Sequence, residues 1–371
     1  MQRILTIGWL LALGAVLLSG CDSLLLSKGE RQEKRVAYLQ ESLSPVPLVM
    51  SWPVTPVPEP ITAVHVDEGW YYAEGQTHAI YAFTLDDGIL QWVYRGFSGP
   101  LDTPPVHNQS STFLVSQERC VAVDHLTGRP YWRTDLGGAS TSPVEASETH
   151  LYAGTYARNL QAYNTADGHW DWFISLGSGV VSSRPVYVEP RVFFATEGGA
   201  LYSLNAGTGE ATGATGVILQ TQGAVVGDLW VNGDNVYVPS WDGTLYCVDR
   251  LAGKTRWEYQ AVVPLSQGAL TGGGLVYLRA DNGIMYAFDE ASGGLAWQIP
   301  DVERHLAVVD GNAYFLRGQR TILRVDPATG EVLGQLRLDG WDFFPSNPEG
   351  SKLVLATRDG YIYSLERLEL R

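Results

Sequence analysis

Seven histidines, at positions 65, 78, 107, 125, 150, 169 and 305, are the residues of this chain best suited to moving protons or holding a metal. None stands at the His-x-His or His-Glu-x-x-His spacing that places two imidazoles on one ion, so a metal site would need ligands from distant segments. His169, in "DGHWDW", reads as a surface turn residue. Adjacent carboxylates occur in "LDDG" (85–88), without the alternating oxygen ligands of a calcium loop. No serine lies in a Gly-x-Ser-x-Gly turn, and "SWDG" and "SSRP" offer a hydroxyl without a partner base. The three cysteines, Cys21, Cys120 and Cys247, form no Cys-x-x-Cys pair. Cys120 and Cys247 read as small buried hydrophobes in separate repeats, too far apart for the roughly 7 Å Cα separation a disulfide tolerates. No catalytic residue, metal site or cofactor-binding residue is assigned.

What the chain repeats is a line of architecture. A turn of the form Asp/Asn-x-x-x-Gly, with Thr84 at the first position in the first copy, places its glycine at Gly88, Gly128, Gly168, Gly209, Gly253, Gly293 and Gly330, at spacings of 37 to 44 residues. Seven residues before each glycine lies the middle of an alternating strand, and an eighth such strand is centred on Tyr363. Four residues after the glycine stands Trp92, Trp132, Trp172, Trp257 or Trp297, replaced by Gly213 and Gly334 in the fourth and seventh copies. Stretches such as "NVYVPSWDGTLYCVDR" (235–250) read as a strand, an Asp-Gly turn and a returning strand. Forty-one glycines, 12 tryptophans and 19 tyrosines suit pleated strands and tight turns. Four strands per period of about 40 residues, eight times over, predict an all-β, eight-bladed β-propeller with four-stranded antiparallel blades.

The ends of the chain sharpen that expectation. The eighth copy stops at Arg371, before its outermost strand, while "LVMSWPV" (48–54) offers an unclaimed strand with its own Trp52. We expect this segment to complete blade eight, close the ring and leave no open edge. The propeller is thus assigned to 48–371. Its most irregular stretch, 209–234, carries Val217, Ile218, Leu219 and Trp230, a candidate partner contact; some of these must also serve as a blade-five strand.

Ahead of the propeller, residues 1–20 carry Arg3 and an apolar run from Ile4 to Leu18, too short at 1.5 Å per residue for a hydrocarbon core of about 30 Å. The run ends in "LSGC" (18–21), which resembles a bacterial lipobox, so 1–20 are expected to be a cleaved lipoprotein signal peptide and Cys21 the lipidated residue. Residues 21–47 read as a charged, solvated tether, with Lys28, Arg31, Lys34 and Arg35 near the membrane surface. Lipid chains on Cys21 would anchor the chain in the cell envelope facing the periplasm. Asp22 opens inner-membrane retention as an alternative to the outer membrane. The net charge of −15 disfavours nucleic acid, which needs clustered Lys and Arg.

The line "AVDHLTGRPYW" (122–132) resembles the repeat of the pyrroloquinoline-quinone (PQQ)-type propellers, and the likeness extends over about 66–366. The resemblance implies that the tryptophan of one blade docks on its neighbour, making Trp52, Trp92, Trp132, Trp172, Trp257 and Trp297 structural. With the lipobox, the length and the eight copies, the whole chain is similar to the lipoprotein scaffolds of the outer-membrane β-barrel assembly machine. That likeness implies a non-enzymatic, monomeric propeller working within a complex through protein partners. "FISLGSGVVSSRPV" (173–186) and "VVGDLWVNGD" (225–234) lack the family's SLRG-like and DVDTTP-like stretches, so no partner contact is carried over. The alternatives are a quinone-binding oxidoreductase, although the chain has no adjacent cysteine pair, and a ligand-sensing or envelope-organising propeller.

Overall fold

In the computed structural model the described residues are 28–43, 48–51, 55–347 and 352–367. Eight four-stranded antiparallel sheets follow one another around a ring, as the repeat predicts. Blade one runs Ile61–Asp67, Trp70–Gly75, Ile80–Thr84 and Leu90–Tyr94, and blades two to seven repeat that order from the inner to the outer strand. The second and third strands carry most of the core: Trp70–Gly75, Ser111–Ser116 and His150–Thr155 are buried at every residue. Their neighbours cover both faces, so these strands are buried throughout and carry short apolar runs such as Phe113–Val115, while outer strands such as Pro130–Asp135 alternate with solvent.

The repeated turn explains its own residue types. Gly128 donates to the Asp124 carbonyl at 2.8 Å, and the Asp124 carboxylate accepts the Thr127 amide at 2.7 Å. The same wiring recurs at Asp249, with the Gly253 and Ala252 amides, and at Asp289, with Gly293 and Ser292. All seven turn glycines sit between φ +63° and +73°, a left-handed conformation that costs any other L-residue about 1–2 kcal/mol.

Blade eight draws on both ends of the chain. Leu353–Thr357 pairs with Tyr361–Arg367, whose other edge takes Leu48–Met50 and then Thr55–Pro56. The Ser51 amide extends this edge with a bond to the Ser364 carbonyl at 3.0 Å. The innermost position is reduced to a bridge between Phe343 and Ala356. Trp52 lies outside the described residues, as do Cys21 and the whole of 1–20.

One expectation is corrected. Within the stretch 21–47, read as a solvated tether, Lys28–Leu43 forms a helix, α1, docked on blades seven and eight. Its sequence is rich in helix-favouring Glu, Gln, Lys, Arg and Leu, and Val36, Leu39 and Leu43 recur at helical spacing. Leu39 and Leu43 are buried with Leu336, Trp341 and Tyr363. Arg35 grips Asp359 through both carboxylate oxygens, at 2.7 and 2.8 Å, and the Tyr38 hydroxyl donates to the Arg337 carbonyl. The run of charges hid this stripe because only three of its residues are apolar enough to mark it.

Candidate functional site

Two sets of side chains stand out: those at the seams between blades and those lining the central channel. At the seams, the tryptophans of five outer strands reach the turn of the next blade. Trp92 donates its indole N–H to the His125 carbonyl at 2.8 Å, Trp132 to Thr165 at 2.8 Å, Trp257 to Glu290 at 3.1 Å and Trp297 to Pro327 at 2.7 Å. Their rings lie over Gly128, Gly168, Gly293 and Gly330, and Trp172 lies over Gly209, so closely that an added Cβ would come within 2.5 or 2.6 Å of ring atoms. The glycine is therefore required twice, by φ and by the indole above it. In the fourth copy, where Gly213 stands in the tryptophan's place, Ile218 lies over Gly253 instead, with room for a methyl at 3.4 Å. At the seventh seam, where Gly334 stands there, α1 packs on the outer strand and contributes Leu39 and Leu43.

The candidate contact at Val217, Ile218, Leu219 and Trp230 does not form one patch. Val217–Gln220 is the outer strand of blade four, with Ile218 and Leu219 packed toward blade five. Trp230 belongs to the inner strand of blade five, where its indole donates to the Thr271 hydroxyl at 2.9 Å. One lies at the rim, the other in the channel. Cys120 and Cys247 are free and buried, and His169 is an exposed turn residue beside Asp167.

The channel is where polar groups from separate blades meet. Asp67 ends the inner strand of blade one, and His107 lies on that of blade two, with Nδ1 at 2.8 Å from the Asp67 carboxylate. Glu145, on blade three, takes the Arg184 guanidinium at 2.8 Å, and a second nitrogen of Arg184 lies 3.7 Å from Asp67. The Arg184 amide donates to Asp228, just ahead of blade five's inner strand, at 2.9 Å. Five blades are thus linked through contiguous contacts, three of them directly by the Arg184 guanidinium and its ion pairs. Burial raises the Glu145 carboxyl to about 7, despite the opposing pull of Arg184, with Asp67 and Glu68 adding to the rise. Glu145, first of all its neighbours, holds the Arg184 guanidinium more firmly protonated than usual. His125 stacks on His107 at 4.4 Å, and burial followed by that neighbour depresses it to about 4.

The opposite wall carries His305 and Tyr277, from blades seven and six, stacked at 5.3 Å. Both are buried; neither His305 ring nitrogen nor the Tyr277 hydroxyl has a hydrogen-bond partner among the described residues. Burial alone takes His305 down to about 4. These walls enclose a cavity of about 550 Å³, within the range of small-ligand sites. Among the described residues no group of three His, Cys, Asp or Glu is placed to hold a metal ion. Of the channel carboxylates, Asp67 engages His107 and Arg184, Glu145 engages Arg184, Asp228 accepts a backbone amide and Glu303 lies 3.9 Å from Arg279. The geometry suits binding.

The channel residues escaped the motif search because each blade contributes only one or two. A positional signal exists all the same: Arg184, Asp228 and His305 each stand 25 residues before the turn glycine of their own copy, where the other copies carry Ala63, Thr103, Pro143 and Gly268.

Comparison with known proteins places these features in context. The chain matches the family described as "Outer membrane protein assembly factor BamB" over residues 116–214 and 211–342. A protein of that name from Yersinia pestis is 27% identical over 239 residues, covering 58% of this chain and 61% of the relative, less than two thirds of its length. One from Moranella endobia is 24% identical, covering 66% of this chain and 67% of the relative. Among solved structures, BamB from Moraxella catarrhalis superposes with a TM-score of 0.68 at 14% identity, covering 86% of this chain and 99% of that one. A quinohemoprotein alcohol dehydrogenase from Pseudomonas putida HK5 reaches 0.65 at 11% identity, over 87% of this chain and 77% of that enzyme. At these identities the structural matches speak for the fold alone.

Proposed function

The chain belongs to the outer membrane protein assembly factor BamB family, and from that premise we propose that it is a non-enzymatic lipoprotein scaffold for protein partners in the assembly and insertion of outer-membrane β-barrel proteins. The observation that carries this reading is the family match across 116–342, more than half of the chain. A ring held by tryptophan seams is a stiff frame for loops, which suits positioning of partners. Cys21, in the lipobox-like "LSGC", is the proposed lipid attachment site, and the propeller faces the periplasm from the outer membrane. The propeller is proposed to act as a monomer within its complex, with no cofactor.

In-cell crosslinking of the tagged chain, with mass spectrometry of what co-purifies, tests the reading. Recovery of outer-membrane barrel-assembly subunits supports it. Inner-membrane proteins alone would make Asp22 a retention signal and leave the likeness as one of fold. Metabolic labelling with radioactive palmitate, lost on Cys21→Ala, tests the anchor separately. Quinone absorbance in the purified chain would favour the oxidoreductase reading.

A further inference from the structure

We infer that the central channel is a binding site for an extended, basic peptide segment of a partner protein. The inference goes beyond the scaffold reading and does not depend on it. Its first support is charge. The cavity is walled by five carboxylates, Asp67, Glu68, Glu145, Asp228 and Glu303, against the three guanidinium groups of Arg184, Arg279 and Arg304. A second opening of about 390 Å³ shares Asp67, Glu68, Glu145, Arg184 and Tyr187 with the first and adds Glu148. Negative charge thus remains after every internal cation is counted, in a recess where low-dielectric walls strengthen its pull on a positive guest.

The second support is independent of charge. His305 lines the same cavity, is 3% exposed, and has both ring nitrogens without a partner among the described residues. Tyr277, stacked on it, has a buried hydroxyl in the same condition. Burying such groups unpaired is costly, and a guest that offers them hydrogen bonds offsets that cost. A neutral imidazole both donates and accepts, which matches the N–H and C=O of a peptide backbone. Between the acidic side and His305 lie Trp230, Leu270 and Met285, an apolar stretch for the side chains that alternate with the basic ones.

The shape favours a linear guest. The two openings adjoin along five shared wall residues, and His107 lines one while His305 lines the other; a guest crossing both would follow a path from blade two to blade seven. A compact divalent ion fits poorly, because no three ligating side chains among the described residues converge. An extended chain with a lysine or arginine beside Glu145 and Asp228 and its backbone against His305 uses the whole path.

Isothermal titration of the full chain, in non-ionic detergent, with a blocked hexapeptide of alternating lysine and valine tests this directly. Binding is expected, and its affinity should fall steeply between 50 and 500 mM salt, where the screening length shrinks to a few ångströms. Asp228→Asn and Glu68→Gln, both at exposed positions, should each weaken it by about three- to fivefold, the scale of a partly exposed ion pair. His305→Leu should weaken it by a similar factor while leaving the unfolding midpoint unchanged or higher, which a purely structural histidine would not do. The glutamate–valine counterpart should not bind. Failure of the lysine peptide to bind would overturn the inference. So would equal affinity for all three variants, which would place the contact elsewhere. Spermidine binding as tightly as the peptide would overturn the peptide occupant in favour of a small polyamine.

Discussion

Replacing one seam glycine with alanine separates two effects that the fold combines. At Gly168 the backbone has φ +72°, and an added Cβ would fall 2.5 Å from the Trp132 ring. At Gly283 the conformation is nearly the same, φ +79°, but nothing lies within 4 Å of the new methyl. Gly283→Ala therefore measures the backbone cost alone. The left-handed penalty of about 1–2 kcal/mol is partly offset by the alanine's smaller unfolded-state entropy, leaving about 1 kcal/mol. Gly168→Ala adds overpacking, about 1–3 kcal/mol, because the indole cannot withdraw without disturbing its 2.8 Å bond to Thr165. Its total should reach about 2–4 kcal/mol. Gly253→Ala, where Ile218 leaves room for the methyl at 3.4 Å, should cost about as much as Gly283→Ala. Urea unfolding followed by tryptophan fluorescence reads all three, provided the slope stays common to the series. If Gly168→Ala and Gly283→Ala agree within about 0.5 kcal/mol, the seam is loose and the reasoning fails.

Acid should expose the buried imidazoles. His305 has a folded pKa of about 4 against an ordinary 6.5, so the unfolded chain binds more protons between those values and stability falls as pH drops through that window. The loss is about 3 kcal/mol for His305 alone, and His305→Leu should flatten this part of the stability curve. Glu145 works in the opposite sense: its carboxyl, near 7 when folded and 4.5 otherwise, costs stability as pH rises from about 4.5 to 7, and Glu145→Gln should remove that slope. Leu39→Ala should release α1, speeding amide exchange over residues 36–43 by at least about tenfold while blade amides keep their protection; unchanged exchange of the helix would count against its docking. Cys120 and Cys247 are buried, with the Cys247 thiol pushed up to about 12, so a thiol reagent should label both only as fast as the chain unfolds.

The architecture was legible because its determinants are local and repeated. A glycine that must adopt φ near +70° and an aspartate or asparagine four residues earlier that caps the turn act within a few residues. Seven copies make a weak local signal strong. Strand alternation set which side chains face inward, and the missing last strand of the eighth copy pointed to the N-terminal residues now seen along the Tyr361–Arg367 edge. Tertiary structure alone decided what fills a seam where the tryptophan is absent: Ile218 at one, α1 at another. A substitution at one contact can be answered by any side chain that the fold brings near. The channel was equally hidden. Asp67, His107, Glu145, Arg184 and Asp228 each belong to a different blade, roughly 40 residues apart, and acquire shared chemistry only when the ring closes. Local propensity writes the blades; closure brings their single, unrepeated residues within bonding distance, and no spacing in the chain encodes that distance.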